Sequence, residues 1–391
     1  MRPSNRIAAI TGQGSDGWEI FILARAMIEA GRDVIELTVG QHDISTDPAI
    51  LEAMYASAQA GNTGYADLPG SNVLRDQVAR HVQASTGVPS SRDNVLITPG
   101  AQFALFAGLM ATLDPGNRAL YIDPYYATYP GTIRAAGGVD VAVPAHAANN
   151  FQPAVADLER EAGQARALLI NSPNNPTGVV YSEQTMHAIA DLCLRHDLWL
   201  LSDEVYEAQI WRGAHLSPRA LDRMAERTLV ISSMSKSYAM TGSRVGWLVG
   251  PEPVIEQAID LATHTTYGVS GFLQDAALFA LRQDPAFVRR LAAPFERRLG
   301  IANDLLARQN TIRAVPAAAT MYVMLDIRAT GMSGTAFAHA LLEQRNVAVM
   351  PGESFGQEAA GHIRVAMTVE DARFAHAFAA ILDFAQEHGH V

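Results

Sequence analysis

Cysteine is nearly absent from this chain, since Cys193 is the only one among 391 residues. A single thiol excludes an internal disulfide and any metal site that requires several cysteines. Because Cys193 lies in an apolar stretch, we expect it to be a small buried hydrophobic residue.

Long apolar runs and an excess of positive charge are missing as well. No run reaches the roughly 18 apolar residues that a membrane-spanning helix requires, and the start of the chain has no apolar core of signal-peptide length. The formal net charge of −11 opposes binding to nucleic acid or to an anionic membrane surface. We therefore expect a cytoplasmic protein that has neither a nucleic acid nor a membrane as its partner.

The rest of the composition is that of an ordinary folded protein, with 49 % hydrophobic and 18 % charged residues. A chain of 391 residues is long for one hydrophobic core, so we expect two domains. The sequence places a large domain at residues 47–285 and a smaller domain at residues 286–391. Residues 1–46 contribute an N-terminal arm and part of the smaller domain.

Short apolar strands alternate with helical stretches through the large predicted domain. Strands are predicted at residues 94–98, 118–122, 167–171, 198–202 and 228–232. Strands joined by such crossovers predict an α/β fold with a mostly parallel sheet that helices cover on both faces. For the smaller α+β domain we predict helices at residues 18–31 and 286–310 and strands at residues 34–39, 321–326 and 363–367.

Residues 233–244 (SMSKSYAMTGSR) are the most informative part of the chain. An amine such as that of Lys236 becomes a good nucleophile when burial or nearby positive charge lowers its pKa. Ser233, Ser235 and Arg244 can donate hydrogen bonds to a phosphate group, and the planar fork of an arginine suits a dianion. The pattern is typical of a Schiff-base lysine beside a phosphate, although a lone Lys–Arg pair is more often a solvated surface.

Three further motifs follow predicted strands, at the edge where open α/β sheets bind their ligands. Residues 100–102 (GAQ) join a strand to a helix, so their N–H groups either bind a phosphate or simply form a turn. Residues 171–178 (NSPNNPTG) are dense in turn-forming residues and by themselves predict only a loop. Asp203, within residues 202–206 (SDEVY), ends an apolar strand either as a functional acid or as a helix N-cap.

The order of these motifs resembles that of the class I aminotransferases of pyridoxal-phosphate fold type I. The resemblance covers nearly the whole chain, because further segments match in family order. They are residues 63–65 (TGY), 68–70 (LPG), 98–102 (TPGAQ), 123–126 (DPYY), 349–356 (VMPGESFG) and 362–364 (HIR). The resemblance implies transfer of an amino group from an amino acid to a 2-oxo acid such as pyruvate. It also implies pyridoxal 5'-phosphate as cofactor and a ping-pong mechanism through an internal aldimine and pyridoxamine phosphate.

The same resemblance implies a set of cofactor contacts. Lys236 is expected to form the Schiff base and then to carry a proton, and Asp203 to keep the pyridine nitrogen protonated. Asn175 and Tyr206 are expected at the phenolic oxygen of the ring. The other expected contacts are Tyr126 on the ring face, Ala101, Gln102, Ser233, Ser235 and Arg244 at the phosphate, and Tyr65 at the phosphate of a neighbouring subunit. A homodimer with active sites at the subunit interface is therefore part of the expectation.

For the substrate, the resemblance implies that Arg364 binds the α-carboxylate, with Gly40 and Asn175 nearby. The N-terminal segment in this family folds over the active site, where Glu19, or less favourably Asp16, would offer a carboxylate to a guanidinium or an ammonium group. The neighbouring Trp18 would offer an apolar or cation–π wall to the substrate. The alternative is that Trp18 packs into the groove where the helix docks and Glu19 only complements a helix N-terminus.

Within the family, residues 235–242, 267–277 and 321–331 resemble the bacterial arginine–pyruvate transaminases. These are framework segments more than pocket walls, so aspartate, aromatic or branched donors stay open. A β-elimination lyase with the same cofactor also stays open. A transcription regulator with an aminotransferase-like domain is opposed by the acidic charge, and the residues before 18 leave no room for a DNA-binding domain.

Three positions stand out beside the family pattern. Ser243 stands where a bulky aromatic residue commonly precedes the phosphate-binding arginine, and residues 317–320 (AAAT) replace a glycine-containing turn. Both differences could change the shape of the pocket. His42, close to Gly40, is interpreted as a solvated loop histidine, with contact to the substrate as the alternative.

Overall fold

The structure is a computed structural model that describes residues 4–11 and 18–389. Its helices there are α1 Asn5–Ala8, α2 Glu19–Glu29, α3 Pro48–Gln59, α4 Asn72–Thr86, α5 Ala101–Thr112, α6 Tyr129–Ala135, α7 Val155–Ala162, α8 Glu183–Arg195, α9 Met234–Ser237, α10 Glu252–Thr263, α11 Gly271–Leu281, α12 Pro285–Leu306, α13 Gly334–Arg345 and α14 Asp371–His388. The strands there are β1 Ile35–Leu37, β2 Val95–Thr98, β3 Arg118–Asp123, β4 Val139–Pro144, β5 Ala165–Asn171, β6 Trp199–Asp203, β7 Thr228–Ser233, β8 Gly246–Val249, β9 Arg313–Ala314, β10 Tyr322–Asp326, β11 Val347–Pro351 and β12 His362–Ala366.

One sheet has seven strands in the order β2-β8-β7-β6-β5-β3-β4. Strands β4, β3, β5, β6 and β7 run parallel, whereas β8 runs antiparallel to both of its neighbours, β7 and β2. The sheet is therefore mostly parallel, and the predicted α/β class is confirmed. β4 and β8 have no counterpart among the strands predicted from the sequence.

Helices cover both faces of the seven-stranded sheet, which explains why its central strands are continuous apolar runs. On one face Ile170 of β5 packs in the same core as Ile189 of α8. On the other face Leu169 of β5 packs in the same core as Leu105 of α5. Cys193 is fully buried in the first of these cores, so the prediction of a buried hydrophobic residue is confirmed.

A second sheet has five strands in the order β1-β11-β12-β10-β9. β1 pairs with β11 in parallel, and the remaining pairs are antiparallel. Because β1 comes from residues 35–37 and the other strands follow residue 312, this sheet joins distant parts of the chain. The predicted long helix is present as α12. The predicted domain boundaries, after residues 46 and 285, stay a prediction.

The arrangement of the strands brings the predicted motifs to one place. β5, β6 and β7 are parallel neighbours, so their last residues Asn171, Asp203 and Ser233 lie at the same edge of the sheet. β2 runs in the same direction as β7, because β8 lies antiparallel between them, and α5 therefore begins at that edge too. From the second sheet, β10 and β12 bring Tyr322 and Arg364. No helix among the described residues is long and apolar enough to cross a membrane.

Candidate active site

A cavity of about 250 Å³ lies where the carboxyl ends of β5, β6 and β7 face residues of the second sheet. The elements around it come from widely separated parts of the sequence, so the fold itself assembles this site. Most of the predicted site residues line it, namely Gly40, Ala101, Gln102, Tyr126, Asn175, Asp203, Tyr206, Ser233, Ser235, Lys236, Arg244 and Arg364.

Lys236 lies in α9, a single turn of helix that begins where β7 ends. Ser233 caps this turn, since its Oγ accepts a hydrogen bond from the N–H of Ser235 at 3.3 Å. The Nζ of Lys236 donates to the carbonyl oxygen of Gly40 at 2.5 Å. The carbonyl of Lys236 itself accepts from Nε2 of Gln209 at 2.9 Å. The lysine is therefore held at both its backbone and its amine.

The surroundings of Lys236 disfavour its charged form. Burial lowers the pKa of the amine, and the positive charges of Arg364 and Arg244 lower it further, against the opposing effects of Tyr322 and Asp203. A larger fraction of this amine is therefore neutral near pH 7 than in an exposed lysine, which is the state required of a nucleophile or a base.

Asp203 is a buried acid with only neutral partners in the described chain. It is 7 % exposed, its Oδ2 accepts from the hydroxyl of Tyr129 at 2.7 Å, and its Oδ1 accepts from the N–H of Val205 at 3.3 Å. Burial raises the pKa of Asp203 to about 6, although the hydrogen bond from Tyr129 acts in the opposite direction. Turns rather than a helix follow β6, so Asp203 is not a helix N-cap.

Asn175 and Tyr206 form a hydrogen-bonded row with a third residue, Tyr322. The Nδ2 of Asn175 lies 3.5 Å from the hydroxyl of Tyr206, which lies 3.1 Å from the hydroxyl of Tyr322. Asn171 fixes the loop, because its Oδ1 accepts from the N–H of Asn175 at 2.8 Å. Burial raises the pKa of Tyr206, so its hydroxyl stays protonated at neutral pH and can donate a hydrogen bond.

Arg364 is a buried cation that contacts no carboxylate of the described chain. Its Nη1 donates to Oδ1 of Asn175 at 2.9 Å, and its Nη2 donates to the carbonyl oxygen of Thr38. The guanidinium lies between two rings, with Cζ 4.3 Å from the ring centre of Tyr322 and 4.4 Å from that of Phe355. Arg364 is 4 % exposed, and its Nε has no partner among the described residues. A buried guanidinium in this state favours an anionic ligand.

The N-terminus of α5 and Arg244 form a second anion-binding part of the cavity. The first N–H groups of a helix have no partner within the helix, which suits them to a phosphate. A Cβ on Gly100, the residue before α5, would lie 2.4 Å from Nη2 of Arg244, so glycine allows the guanidinium to approach the helix. Gln102 lies in the first turn of α5, so its backbone N–H has no partner within the helix, and its side chain is held apart by donating to Oγ1 of Thr132 at 2.8 Å. This donor set fits a phosphate group.

A sequence model of aminotransferase class I and II matches residues 32–381, which include every residue that lines the cavity apart from Trp18. The chain belongs to this family. The aminotransferase is 38 % identical to the arginine–pyruvate transaminase AruH of Pseudomonas aeruginosa, over 94 % of each chain. It is 32 % identical to an aspartate aminotransferase of Geobacillus stearothermophilus, over 91 % of this chain and 92 % of the relative.

A solved structure of Thermus thermophilus aspartate aminotransferase with maleate has the same fold as this aminotransferase. The TM-score is 0.92 at 32 % sequence identity, and the match covers 98 % of this chain and 100 % of that chain. Family, fold and enzyme class are thus as predicted. Members of the family generally use pyridoxal 5'-phosphate.

Two predicted site residues of the aminotransferase do not reach the cavity of this chain. Tyr65 is 91 % exposed, and its ring packs edge-on against that of Tyr267 with the ring centres 5.1 Å apart. The side chain of Glu19 is 67 % exposed, and its Oε1 lies 3.6 Å from Nε2 of His339. The neighbouring Trp18 does line the cavity. Asp16 lies outside the described residues.

His42 corrects a prediction about the loop that follows β1. Because it is only 7 % exposed, the interpretation as a solvated loop histidine is wrong. Its ring meets that of Phe295 edge-on at 4.9 Å, and neither ring nitrogen has a hydrogen-bond partner among the described residues. Burial and the positive charge of Lys236 lower the pKa of His42 to about 4. Arg298 fixes the loop by a bidentate pair with Asp43, at 2.9 and 2.7 Å.

Sequence reasoning missed three residues that hold the site together, which are Tyr129, Tyr322 and Gln209. Tyr129 comes three residues after Tyr126 in a run rich in tyrosine, and that run is the only local signal for it.

The composition contains a further signal for the predicted site residue Lys236. Lys236 is the only lysine of the chain, since all the other residues in its Lys and Arg total of 29 are arginines.

Proposed function

We propose that the aminotransferase uses pyridoxal 5'-phosphate to transfer an amino group from an amino acid to a 2-oxo acid such as pyruvate. The observation that supports this most is the convergence of the Lys236 amine, the Asp203 carboxylate and the Arg364 guanidinium on one cavity. When bound, the cofactor supplies an aldehyde for the substrate amine and a ring that withdraws electrons from the substrate Cα.

The cavity offers a partner for each polar part of the cofactor. Asp203 would hold the protonated ring nitrogen, because a cation beside this carboxylate would offset the cost of its burial. Asn175 and Tyr206 would hold the phenolic oxygen, and Tyr126 would cover the ring face. The phosphate would be held by the N–H groups of Ala101 and Gln102, the hydroxyls of Ser233 and Ser235 and the guanidinium of Arg244.

The remaining two basic groups act on the substrate. Arg364 would bind the α-carboxylate through its planar fork and so orient the bond from Cα to hydrogen. The amine of Lys236, which is neutral in a larger fraction than usual, would move the proton of Cα. Gly40 accepts a hydrogen bond from this amine and has no side chain that would occupy the path to the substrate.

The cavity has few charged residues that could recognise the side chain of an amino-acid donor. The charged residues that line it are Asp203, Lys236, Arg244 and Arg364, and each has a part in the proposal already. Neither the guanidinium of arginine nor the side-chain carboxylate of aspartate therefore has an unused partner among the described lining residues. We propose that this partner comes from the N-terminal segment, with Glu19 as the first candidate, or from a second subunit.

A homodimer belongs to the same proposal. Tyr65 is almost fully exposed in the single chain, and only a second copy of the chain would give its hydroxyl a phosphate to contact. Sedimentation of the purified protein should show a dimer. Tyr65→Phe should weaken cofactor binding, with Tyr55→Phe, which changes another exposed tyrosine, as the control.

Arginine is the first donor to test, because AruH is named for arginine and pyruvate. Arginine, aspartate, phenylalanine and alanine should be supplied one at a time, each with pyruvate or 2-oxoglutarate, and the new amino acid quantified. In Glu19→Gln, a loss of kcat/KM for arginine but not for alanine would support Glu19 as the specificity residue. An equal change for both donors would refute that role. Ammonia and pyruvate formed from a sulfur amino acid without any acceptor would identify a β-elimination lyase instead.

A further inference from the structure

Tyr322, the first residue of β10, contacts three separate parts of the cavity. Its hydroxyl lies 3.1 Å from that of Tyr206, and its ring centre lies 4.3 Å from Cζ of Arg364. It is 2 % exposed, so these contacts are shielded from bulk water. The hydroxyl of Tyr322 thus contacts Tyr206, and its aromatic face contacts Arg364.

The third contact is with Gly40, and it explains why a glycine stands there. A Cβ on Gly40 would lie 1.8 Å from the hydroxyl oxygen of Tyr322. Space rather than backbone conformation therefore requires glycine at this position. The carbonyl of Gly40 accepts the hydrogen bond of Lys236, so this one glycine lies close to both the amine and the hydroxyl of Tyr322.

The turn before Tyr322 is held rigidly against the same part of the site. Thr320 has a φ of 70°, in the left-handed region that a β-branched residue rarely adopts. Its N–H donates to the carbonyl of Gln209 at 2.8 Å, and its carbonyl accepts from Nε1 of Trp211 at 2.9 Å. Gln209 in turn donates to the carbonyl of Lys236, so one short segment fixes both Tyr322 and the lysine.

We propose that Tyr322 is a positioning residue for amino transfer. Its ring keeps the Arg364 guanidinium in the plane that receives the substrate carboxylate, and its hydroxyl orients the hydroxyl of Tyr206. The reaction it serves is the proposed function above, on which this inference rests. The contacts themselves lie within the chain and can be tested without the cofactor.

The hydroxyl and the ring of Tyr322 should affect different kinetic constants, kcat and KM respectively. Tyr322→Phe keeps the ring and removes the hydroxyl, so KM for every donor should stay within about twofold while kcat falls about fivefold, the effect of one ordinary hydrogen bond. Tyr322→Leu also removes the ring, and KM for every donor should then rise about 10- to 30-fold, as expected for a desolvated cation–π contact. Tyr181→Phe is the matched control, since it removes a hydroxyl from another tyrosine that is 2 % exposed but does not line the cavity. An equal effect of Tyr322→Phe and Tyr322→Leu on KM would overturn the role of the ring.

A double substitution tests whether the hydroxyl acts through Tyr206. In a Tyr206→Phe background, Tyr322→Phe should cause no further loss of kcat, because the group that it orients is gone. The same fivefold loss in both backgrounds would overturn the proposed action on Tyr206.

The cofactor-free protein provides a readout that does not depend on turnover. Since Lys236 is the only lysine, protein grown with [13Cε]lysine gives a single lysine resonance, whose shift against pH reports the pKa of this amine. The charged or titratable groups that act on it are Tyr322, Arg364, Arg244 and Asp203, and its own charge acts on His42. Tyr322→Phe should lower this pKa, because the hydroxyl of Tyr322 acts to raise it. Tyr322→Leu also loses the hydroxyl, but its pKa should lie above that of Tyr322→Phe, because Arg364 loses its fixed position near the amine.

Each outcome of the titration bears on the inference. A pKa in Tyr322→Leu equal to that of Tyr322→Phe would overturn it, and so would the same shift in Tyr181→Phe. Should Tyr322→Leu fail to fold, Tyr322→Phe and the double substitution still decide the role of the hydroxyl. A wild-type protein that transfers no amino group would overturn the proposed function and would leave this titration as the test of Tyr322.

Discussion

Asp203 is a carboxylate kept where the fold disfavours its charge. Burial raises its pKa from 3.8 to about 6, so the folded, cofactor-free protein holds a proton in this interval that the unfolded chain releases. The contribution of Asp203 to the free energy of unfolding is fully present below pH 3.8 and is lost as the pH rises through 6. Near neutral pH the ionised Asp203 therefore costs the cofactor-free protein about 3 kcal/mol.

Asp203→Asn should stabilise the cofactor-free protein at pH 8, by up to about 3 kcal/mol, and should change little at pH 4. The same substitution should lower kcat severely, because a neutral amide does not hold a protonated ring nitrogen. Urea unfolding of both proteins at the two pH values measures the first effect. Asp326→Asn is the control with opposite sign, because hydrogen bonds from Arg328 outweigh burial and hold the pKa of Asp326 below its ordinary value. Equal stability of wild type and Asp203→Asn at pH 8 would contradict the account.

The strands whose carboxyl ends line the cavity could be predicted from local sequence. β2, β5, β6 and β7 are apolar runs that end in a polar motif, and such runs report burial on both faces. β4 is a partly exposed strand at the edge of the sheet, and β8 has only four residues after the lysine motif, so neither has a clear local pattern.

The supporting residues could not be predicted, because their contacts depend on how distant elements meet. Tyr129 hydrogen-bonds a residue 74 positions away, and Tyr322 hydrogen-bonds one 116 positions away. His42 was misread for the same reason, since Phe295 and Arg298 of α12 enclose its loop. Most of the residues that line the cavity were predictable from motifs, but the packing around them required the tertiary structure.

The N-terminus of α5 gives a prediction at the element scale. Gly100→Ala should raise the Kd of pyridoxal 5'-phosphate about tenfold or more, because the new Cβ would displace the guanidinium of Arg244 from 2.4 Å away. Gly87→Ala is the matched control, since Gly87 has φ 73° and no atom lies within 4 Å of its added Cβ. Gly87→Ala should lose about 1–2 kcal/mol of stability from left-handed strain, and Gly100→Ala about 1–3 kcal/mol, because φ 81° and ψ 168° are adopted almost only by glycine. Cofactor titration should show weaker binding in Gly100→Ala alone, and equal Kd values would refute the role given to this helix end.

For the whole molecule, the dependence of stability on pH includes groups of opposite sign. Burial lowers the pKa of His42 from 6.5 to about 4, so the unfolded chain binds a proton in that interval that the folded chain does not. The contribution of His42 to stability is therefore present above pH 6.5 and is lost as the pH falls toward 4. Asp203 acts in the opposite direction in nearly the same interval, so only comparison of variants separates the two.

His42→Phe should remove this dependence while keeping an aromatic ring against Phe295. Between pH 7.5 and pH 5, the wild type should lose about 2 kcal/mol more of its unfolding free energy than the variant loses. Chemical denaturation at the two pH values measures the difference. His187→Gln, which changes an exposed histidine of α8, should behave as the wild type does. The same pH dependence in His42→Phe and wild type would show that His42 is not buried in neutral form.

Lys236 is proposed to carry the transfer of an amino group to a 2-oxo acid, and the fate of labelled nitrogen tests this role. Arginine, aspartate and phenylalanine, each labelled with 15N at the α-amino group, would be incubated separately with the cofactor-loaded enzyme and either pyruvate or 2-oxoglutarate. NMR would then locate the label. The 15N from at least one donor should appear in the amino acid formed from the acceptor, and Lys236→Ala should transfer none. Recovery of the label as free ammonium, or transfer at the wild-type rate by Lys236→Ala, would contradict this role.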